Sequence, residues 1–515
     1  MSVTERPAAP GRRMSALCGA LAGAAALGAA ELVAGLLPGA ASLVVAIGDL
    51  AISLQPPGAK QFVVDLFGEA DKLVLNLLIL AVALAGAAVL GVMARTRPTL
   101  ARFGFGVAGV GALAASLRDP LASPLPTLLV VVAAVVAAIG TLRWLLRLAG
   151  PARPIAEMPD WGRRRFIGTS LAVAGSALAG GWLGRGLLDR GRLASAPRAA
   201  TIPGSITPAP SPPPGASMAV DGISPIVTSN PDFYRIDTAL LVPRPGLDEW
   251  RLRVSGMVDR PFELTYDDLV RLPLHEQYVT IACVSNEVGG DLIGNARWSG
   301  VRLKELLERA GVQPGATQIV GRSVDGWTAG FPTAWALADE REALVAVQMN
   351  GEPLPADHGF PARLIVPGLY GYVSATKWLT EIELTTLEAF DAYWVPLGWA
   401  KEAPILTQSR IDVPRNGARL DVESVAVAGV AWAPDRGVSG VEIQVDESGW
   451  RPAELSVPIS DATWVQFVYR WEATAGEHML RVRAIDGAGE VQTDRRTRPP
   501  PDGARGHHTI TVQVG

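Results

Sequence analysis

Two cysteines in 515 residues, Cys18 in an apolar stretch and Cys283 far downstream, make neither a disulfide framework nor a thiolate-rich zinc site. Histidine is scarce too. All five (His275, His358, His478, His507, His508) lie after residue 270, so the apolar part of the chain has no imidazole with which to hold a membrane b-type haem. No Cys-x-x-Cys-His run exists, which excludes a c-type haem, so the expectation is no haem and a different centre for any redox chemistry. Charged residues are only 19% and the net charge is −4, which argues against nucleic acid as a partner.

Apolar residues, by contrast, make up 49% of the chain, and the mean hydropathy is +0.25. The length calls for two to four folding units. Residues 1–190 carry 17 Lys+Arg against 10 Asp+Glu, whereas residues 191–515 carry 29 against 40, so the two parts differ in charge as well as hydropathy. Five apolar runs, at 14–37, 73–94, 103–117, 125–148 and 166–188, have spanning length, because about 20 helical residues cross a hydrocarbon core of roughly 30 Å. Residues 41–54, interrupted by Asp49 and followed by Pro56-Pro57, read as re-entrant or interfacial.

Arginines gather before the first run (Arg6, Arg12, Arg13), between the second and third (Arg95, Arg97, Arg102), and between the fourth and fifth (Arg143, Arg147, Arg153, Arg163, Arg164, Arg165). The positive-inside rule makes these segments cytoplasmic, and five crossings then leave everything after residue 188 outside. Arg163, Arg164 and Arg165, ahead of a Gly/Ala-rich span, resemble an embedded twin-arginine export signal as well as a plain positive-inside cluster. Glu31 and Asp49 lie in or beside the apolar runs with no evident partner and read as neutral or interfacial groups. The expected division is a membrane domain of about five transmembrane helices (1–190), a proline-rich linker (191–217), an α+β domain (218–388) and an all-β immunoglobulin-like sandwich (389–515).

In the α+β part, strands are expected at 250–254, 278–283, 318–320, 343–348, 363–366 and 378–384, with helices from Thr265 and from Leu303, the second stopping at Gly311. Cys283 ends an apolar strand that opens onto Asn286 and Gly289-Gly290. A lone cysteine is most often an inert core residue, but a single thiolate also suffices for a soft metal that a cofactor otherwise holds. Further on, His358, Arg363, the small and hydroxyl residues Ser374, Ala375 and Thr376, and Lys377 form a set suited to an anionic, heterocyclic cofactor.

The motifs Ile281-Ala-Cys283-Val-Ser-Asn286, Asn295-Ala-Arg-Trp298-Ser-Gly300, Met349 to Arg363 and Val366-Pro-Gly368 to Trp378 resemble the molybdopterin-binding domain of the sulfite oxidase family. The resemblance implies a molybdenum–molybdopterin cofactor with Cys283 as the thiolate ligand of the metal. It places Phe233, Tyr234, Arg235, Asn286, Asp325, His358, Arg363, Ser374, Ala375, Thr376 and Lys377 around the cofactor, and Trp298 and Arg297 at the substrate pocket. Oxygen-atom transfer on a small molecule is the implied reaction, with electrons passed to a separate cytochrome or quinone-linked carrier and a homodimer formed through the C-terminal domain.

Two arginines that follow the cysteine-loop asparagine in animal and plant sulfite oxidases are here Glu287 and Val288, and their active-site tyrosine is here Val347. An anion pocket so depleted binds sulfite poorly, which favours a sulfoxide or N-oxide, with Tyr370 or Tyr372 as replacement phenols. The competing reading is a membrane-anchored, non-catalytic surface binding protein. A third gives the helical bundle a transport or quinone-contacting role through Glu31 and Asp49.

Overall fold

The computed structural model describes residues 10–54, 71–150, 160–194, 202–338, 341–422 and 424–515. Arg6, Pro56, Pro57, Arg153 and residues 195–201 of the expected linker lie outside the described residues. The chain forms two compact units, Met1–Ala196 with Ala239–Arg244, and Pro197–Thr238 with Pro245–Gly515.

The first unit consists of α1 (Arg12–Leu36), α2 (Leu43–Ser53), α3 (Asp71–Met93), α4 (Pro98–Ser116), α5 (Pro124–Ala149) and α6 (Asp160–Ala194). All but α2 are long and apolar enough to cross a bilayer, one for each expected run. With 11 residues, α2 is about 16 Å long, half a hydrocarbon core. Helix α1 packs against α3, α5 and α6, and glycine lets the backbones close. A Cβ on Gly19 would sit 2.2 Å from Ala87 O, and one on Gly28 would sit 2.4 Å from Ala177 O.

Glu31 departs from expectation. It is buried, and it accepts a hydrogen bond from Ser42 Oγ at 2.6 Å, while Arg185 Nη1 lies 3.6 Å from its other oxygen. The carboxylate thus joins α1 to α6 and to the N-cap of α2. The partners are 11 and 154 positions away, so no local pattern shows them. Asp49 is exposed.

The second unit opens with β1 (Arg251–Gly256), β2 (Phe262–Thr265), β3 (His275–Ala282), β4 (Ile293–Arg302), β5 (Gln318–Ser323), β6 (Thr328–Pro332), β7 (Leu344–Met349), β8 (Glu352–Pro353), β9 (Arg363–Ile365) and β10 (Leu379–Thr385). One sheet runs β2-β1-β10-β5-β6, and another runs β3-β4-β7-β8 with β9 beside β7. Tyr266–Arg271 is a short helix because Thr265 and Asp268 close a capping box, each side chain taking the other's backbone N–H at 3.1 Å. The helix Leu303–Ala310 ends as expected, on Gly311 in a left-handed conformation (φ 70°).

Nine further strands, β11 (Gln408–Val413), β12 (Arg419–Leu420), β13 (Ser424–Trp432), β14 (Val438–Val445), β15 (Arg451–Pro452), β16 (Glu454–Leu455), β17 (Val465–Glu472), β18 (Gly476–Asp486) and β19 (His508–Val514), form a two-layer sandwich. Its sheets, β11-β13-β17-β16 and β12-β19-β18-β14-β15, share a core in which Ile411, Val427 and Phe467 meet Ile443, Val482 and Ile510.

At two expected boundaries the neighbouring segments pack together. Ala403, Ile405, Trp432 and Trp464 belong to the same apolar core as Val345, Leu364 and Ile382, so residues on both sides of 388/389 share one core. The described linker residues are docked as well: Ile206 N donates to Leu274 O at 2.9 Å, Thr207 Oγ1 lies 2.6 Å from His275 Nδ1, and Gly215 O accepts from Val457 N at 2.9 Å. Proline-rich composition signals extended backbone, and extended backbone can lie along a neighbour as readily as it can span solvent.

Candidate active site

A cavity opens between the strand ends of the second unit. Its wall takes Cys283 from the loop after β3, Ser323, Asp325 and Trp327 from the β5–β6 turn, Arg363 from the start of β9, and Lys377 and Trp378 from the segment before β10. Tyr234, Asp237, Tyr372, Ala375 and Trp394 line it too. Cys283 is 8% exposed, and neither cysteine is in a disulfide. Among the described residues no three His, Cys, Asp or Glu side chains converge on a metal position, so a metal at Cys283 needs ligands that a cofactor brings.

The polar groups around this cavity are unevenly satisfied. His358 Nε2 donates to Asn230 O at 2.9 Å, which leaves Nδ1 as a bare acceptor, and Nδ1 is buried with no hydrogen-bond partner among the described residues. Burial, with help from Arg363, lowers the imidazole to about 4, so it is neutral at physiological pH. Arg363 donates Nη1 to His358 O at 3.2 Å and lies over the Trp298 ring at 5.2 Å, while its Nε is buried without a partner. Thr376 Oγ1 is a third such atom. Asp325 accepts from Trp327 N at 3.1 Å, and burial pushes its carboxyl above the usual range. Burial and the neighbouring Cys283 push the Tyr234 phenol up, so it stays protonated.

Native interiors rarely leave buried polar atoms unpaired. Here two belong to residues of the cavity wall, Arg363 Nε and Ser323 Oγ, and two to residues next to wall members, His358 Nδ1 and Thr376 Oγ1; a cationic donor, an acceptor and hydroxyls match the mixed donor and acceptor edge of a pterin. The residues present therefore fit the cofactor implied by the motifs.

Lys377 donates to Asp237 Oδ2 at 3.1 Å and to Asp357 O at 2.9 Å. Arg235 reaches the same Asp237 oxygen at 3.0 Å and Asp357 at 3.1 Å. Burial lowers the Lys377 ammonium to about 8, against the attraction of Asp237. The unfolded chain holds this proton to higher pH than the folded one, so from this group cofactor-free protein gains stability as pH rises from about 8 towards 10.4. Over that window Lys377 also loses its charge. Calorimetric affinity of cofactor-free protein for pyrophosphate should fall above pH 8, by at most about tenfold per pH unit, the limit for one-proton linkage. An affinity that stays level to pH 10 would contradict this.

Several expected site residues stand elsewhere. Phe233 is buried behind Tyr234, stacked on it at 5.2 Å and edge-on to Trp298 at 5.8 Å. Trp298 is fully buried and donates to Val279 O at 3.3 Å, so it backs Arg363 and does not line the cavity. Arg297 points to the opposite face of β4, 3.8 Å from Glu276, because neighbouring strand residues alternate. Asn286 Oδ1 closes its own loop on Leu292 N at 2.9 Å, and Ser374 Oγ bonds Tyr370 O at 3.0 Å. Of the two replacement phenols, Tyr372 lines the cavity with its hydroxyl committed to Ala400 O at 2.6 Å, whereas Tyr370 is buried and absent from the wall.

Sequence reasoning missed Asp237, Ser323, Trp327, Trp378 and Trp394. Only Asp237 left a signal: an acid two places after Arg235 in a segment already assigned to the cofactor.

Residues 239–394 match the oxidoreductase molybdopterin binding domain family. Mouse mitochondrial sulfite oxidase is 31% identical over 344 residues, covering 56% of this chain and 62% of that protein, so the chain spans less than two thirds of that relative's length. The oxidoreductase YuiH of Bacillus subtilis (strain 168) is 37% identical over 153 residues, covering 30% of this chain and 73% of that protein. The crystal structure of the sulfane dehydrogenase SoxCD from Paracoccus pantotrophus shares the fold, with a TM-score of 0.50 at 23% identity over 56% of this chain and 82% of that one. With the thiol, the unpaired polar atoms and these matches in agreement, the chain belongs to the sulfite oxidase family of molybdopterin-dependent oxidoreductases.

Proposed function

We propose that this protein is a membrane-anchored, extracytoplasmic oxidoreductase acting on a small S- or N-oxide, with Cys283 as the thiolate ligand of molybdenum. The observation that carries the reading is that Arg363 Nε and Ser323 Oγ, buried and unpaired, belong to residues of the cavity wall that Cys283 shares, with unpaired His358 Nδ1 and Thr376 Oγ1 on residues next to wall members Arg363 and Lys377. When bound, the molybdenum cofactor supplies two-electron oxygen-atom transfer.

The chain's own residues bind and orient. His358 would accept a hydrogen bond from the pterin ring, Arg363 and Thr376 would donate to it, and Asp325 would face it from the β5–β6 turn. Lys377 and Arg235, both held by Asp237, would meet the terminal phosphate. Trp327, Trp378 and Trp394 wall the cavity against water.

The substrate class follows from charge. Arg363 and Lys377, the cations of the cavity wall, are engaged by the cofactor in this reading, and Arg297 faces away. Glu287 is exposed and Val347 fully buried, so neither supplies a cation for sulfite. Membrane anchoring rests on the five apolar helices, and sidedness on the arginine-rich segments around α1, α3–α4 and α5–α6. Export of a folded domain by the twin-arginine route, an immunoglobulin-like sandwich that supports a homodimer, and a separate electron carrier belong to the same reading. Turnover of loaded enzyme tests it: reduction of a sulfoxide or N-oxide should exceed sulfite oxidation by at least about tenfold, the worth of one charge-assisted bond, and faster sulfite turnover would overturn the substrate assignment.

A further inference from the structure

The Cys283 loop is closed by its own backbone: Cys283 N donates to Leu292 O at 2.9 Å, and Gly290 N donates to Glu287 O at 2.9 Å. It is also gripped from outside, by the sandwich. Arg410 of β11 is 9% exposed and spends each guanidinium nitrogen on a different group: Nη1 on Gly290 O at 2.7 Å, Nη2 on Ser224 Oγ at 2.8 Å, and Nε on Asp412 Oδ1 at 2.6 Å. Asp412 completes the ring by accepting from Ser224 N at 2.9 Å. Beside it, His508 of β19 accepts from Ile411 N at 3.0 Å, and its ring lies against Gly289, where a Cβ would be 2.2 Å from Cδ2. Gly289 is also in the left-handed region (φ 82°), so the loop can take this seat only with glycine there.

We propose that Arg410 is a positioning residue that fixes the loop carrying Cys283, which makes the sandwich a working part of the active site. The inference rests on the reading of Cys283 as the metal ligand. Gly290 lies two residues before Leu292, whose carbonyl and N–H close the loop on Cys283 and Asn286. Anchoring Gly290 O therefore restrains the end of the loop that pairs with Cys283. A guanidinium can span three partners in fixed directions; a lysine ammonium, a point charge on a flexible stem, cannot.

The test uses the full chain in a Cys18→Ser background, so that Cys283 is the sole thiol. In cofactor-free protein, Arg410→Gln should raise the alkylation rate of Cys283 by iodoacetamide about tenfold, with Arg410→Lys in between, as loss of one charge-assisted bond implies. Amide exchange should quicken in residues 284–292 while β3 and β4 keep wild-type protection. In loaded protein the sulfur-to-metal absorption band should shift, which an arginine that merely joins two layers would leave in place. Unchanged alkylation, loop exchange and band in Arg410→Gln overturn the proposal. Should that variant fail to fold, Ser224→Ala decides: a two- to threefold rise in alkylation supports the clamp, and no rise overturns it. An unchanged sulfur count around the metal in Cys283→Ser would overturn the underlying reading, whereas one sulfur lost there with loop exchange unchanged in Arg410→Gln overturns the clamp alone.

Discussion

Cys283→Ser should yield a folded protein that has lost at least about 100-fold of its oxidoreductase activity, since even groups that only support metal ligands typically cost 10- to 100-fold when removed. The change is nearly isosteric, and serine keeps the hydrogen bond from residue 283 N to Leu292 O, so the loop has no reason to open. The thermal midpoint should stay within a few degrees of wild type, because a substitution of similar size without a cavity or a lost backbone bond costs about 1 kcal/mol. A serine hydroxyl, however, is a poor ligand for a soft, high-valent metal. Activity and unfolding measured on the same preparation separate the two effects. A variant that turns over at the wild-type rate would show that the thiol is a core residue.

Arg363→Met should separate stability from cofactor binding in opposite directions. Arg363 is 4% exposed, burial lowers its guanidinium to about 10, and its Nε has no partner. A downward shift of that size means that the cofactor-free fold disfavours the charge by an amount on the order of 3 kcal/mol. Methionine fills similar space beside Trp298 without that cost. Cofactor-free Arg363→Met should therefore melt no lower than wild type and somewhat higher, despite losing the 3.2 Å bond to His358 O. The loaded form should lose its cofactor about 10- to 150-fold more readily, the equivalent of one charge-assisted bond. Melting curves with and without cofactor, together with cofactor retention after gel filtration, read both arms. A fall in cofactor-free stability with unchanged retention would make Arg363 a structural cation.

How much of this could be read in the sequence depends on the range of the interaction. Apolar runs located α1 and α3 to α6 because lipid crossing is a property of composition and length. Cys283, His358, Arg363 and Lys377 could be grouped because residue types unusual for a core stood at strand ends. Arg297 and Trp298 share one expected pocket, yet they are adjacent in β4, a strand not among those expected, and alternation sends them to opposite faces. What no local pattern carries is the pairing of Glu31 with Arg185, the seating of Ile206 and Thr207 at the start of β3, and the arrival of Trp394 at the cavity from beyond the expected domain boundary. Each depends on tertiary proximity between distant segments. The grip of Arg410 on Gly290, 120 positions away, is of the same kind.

X-ray absorption at the molybdenum edge tests the central claim most directly. Loaded wild-type protein should show one more sulfur neighbour around the metal than loaded Cys283→Ser, with the pterin sulfurs common to both. An identical sulfur count in the two proteins would contradict the assignment of Cys283 as the ligand.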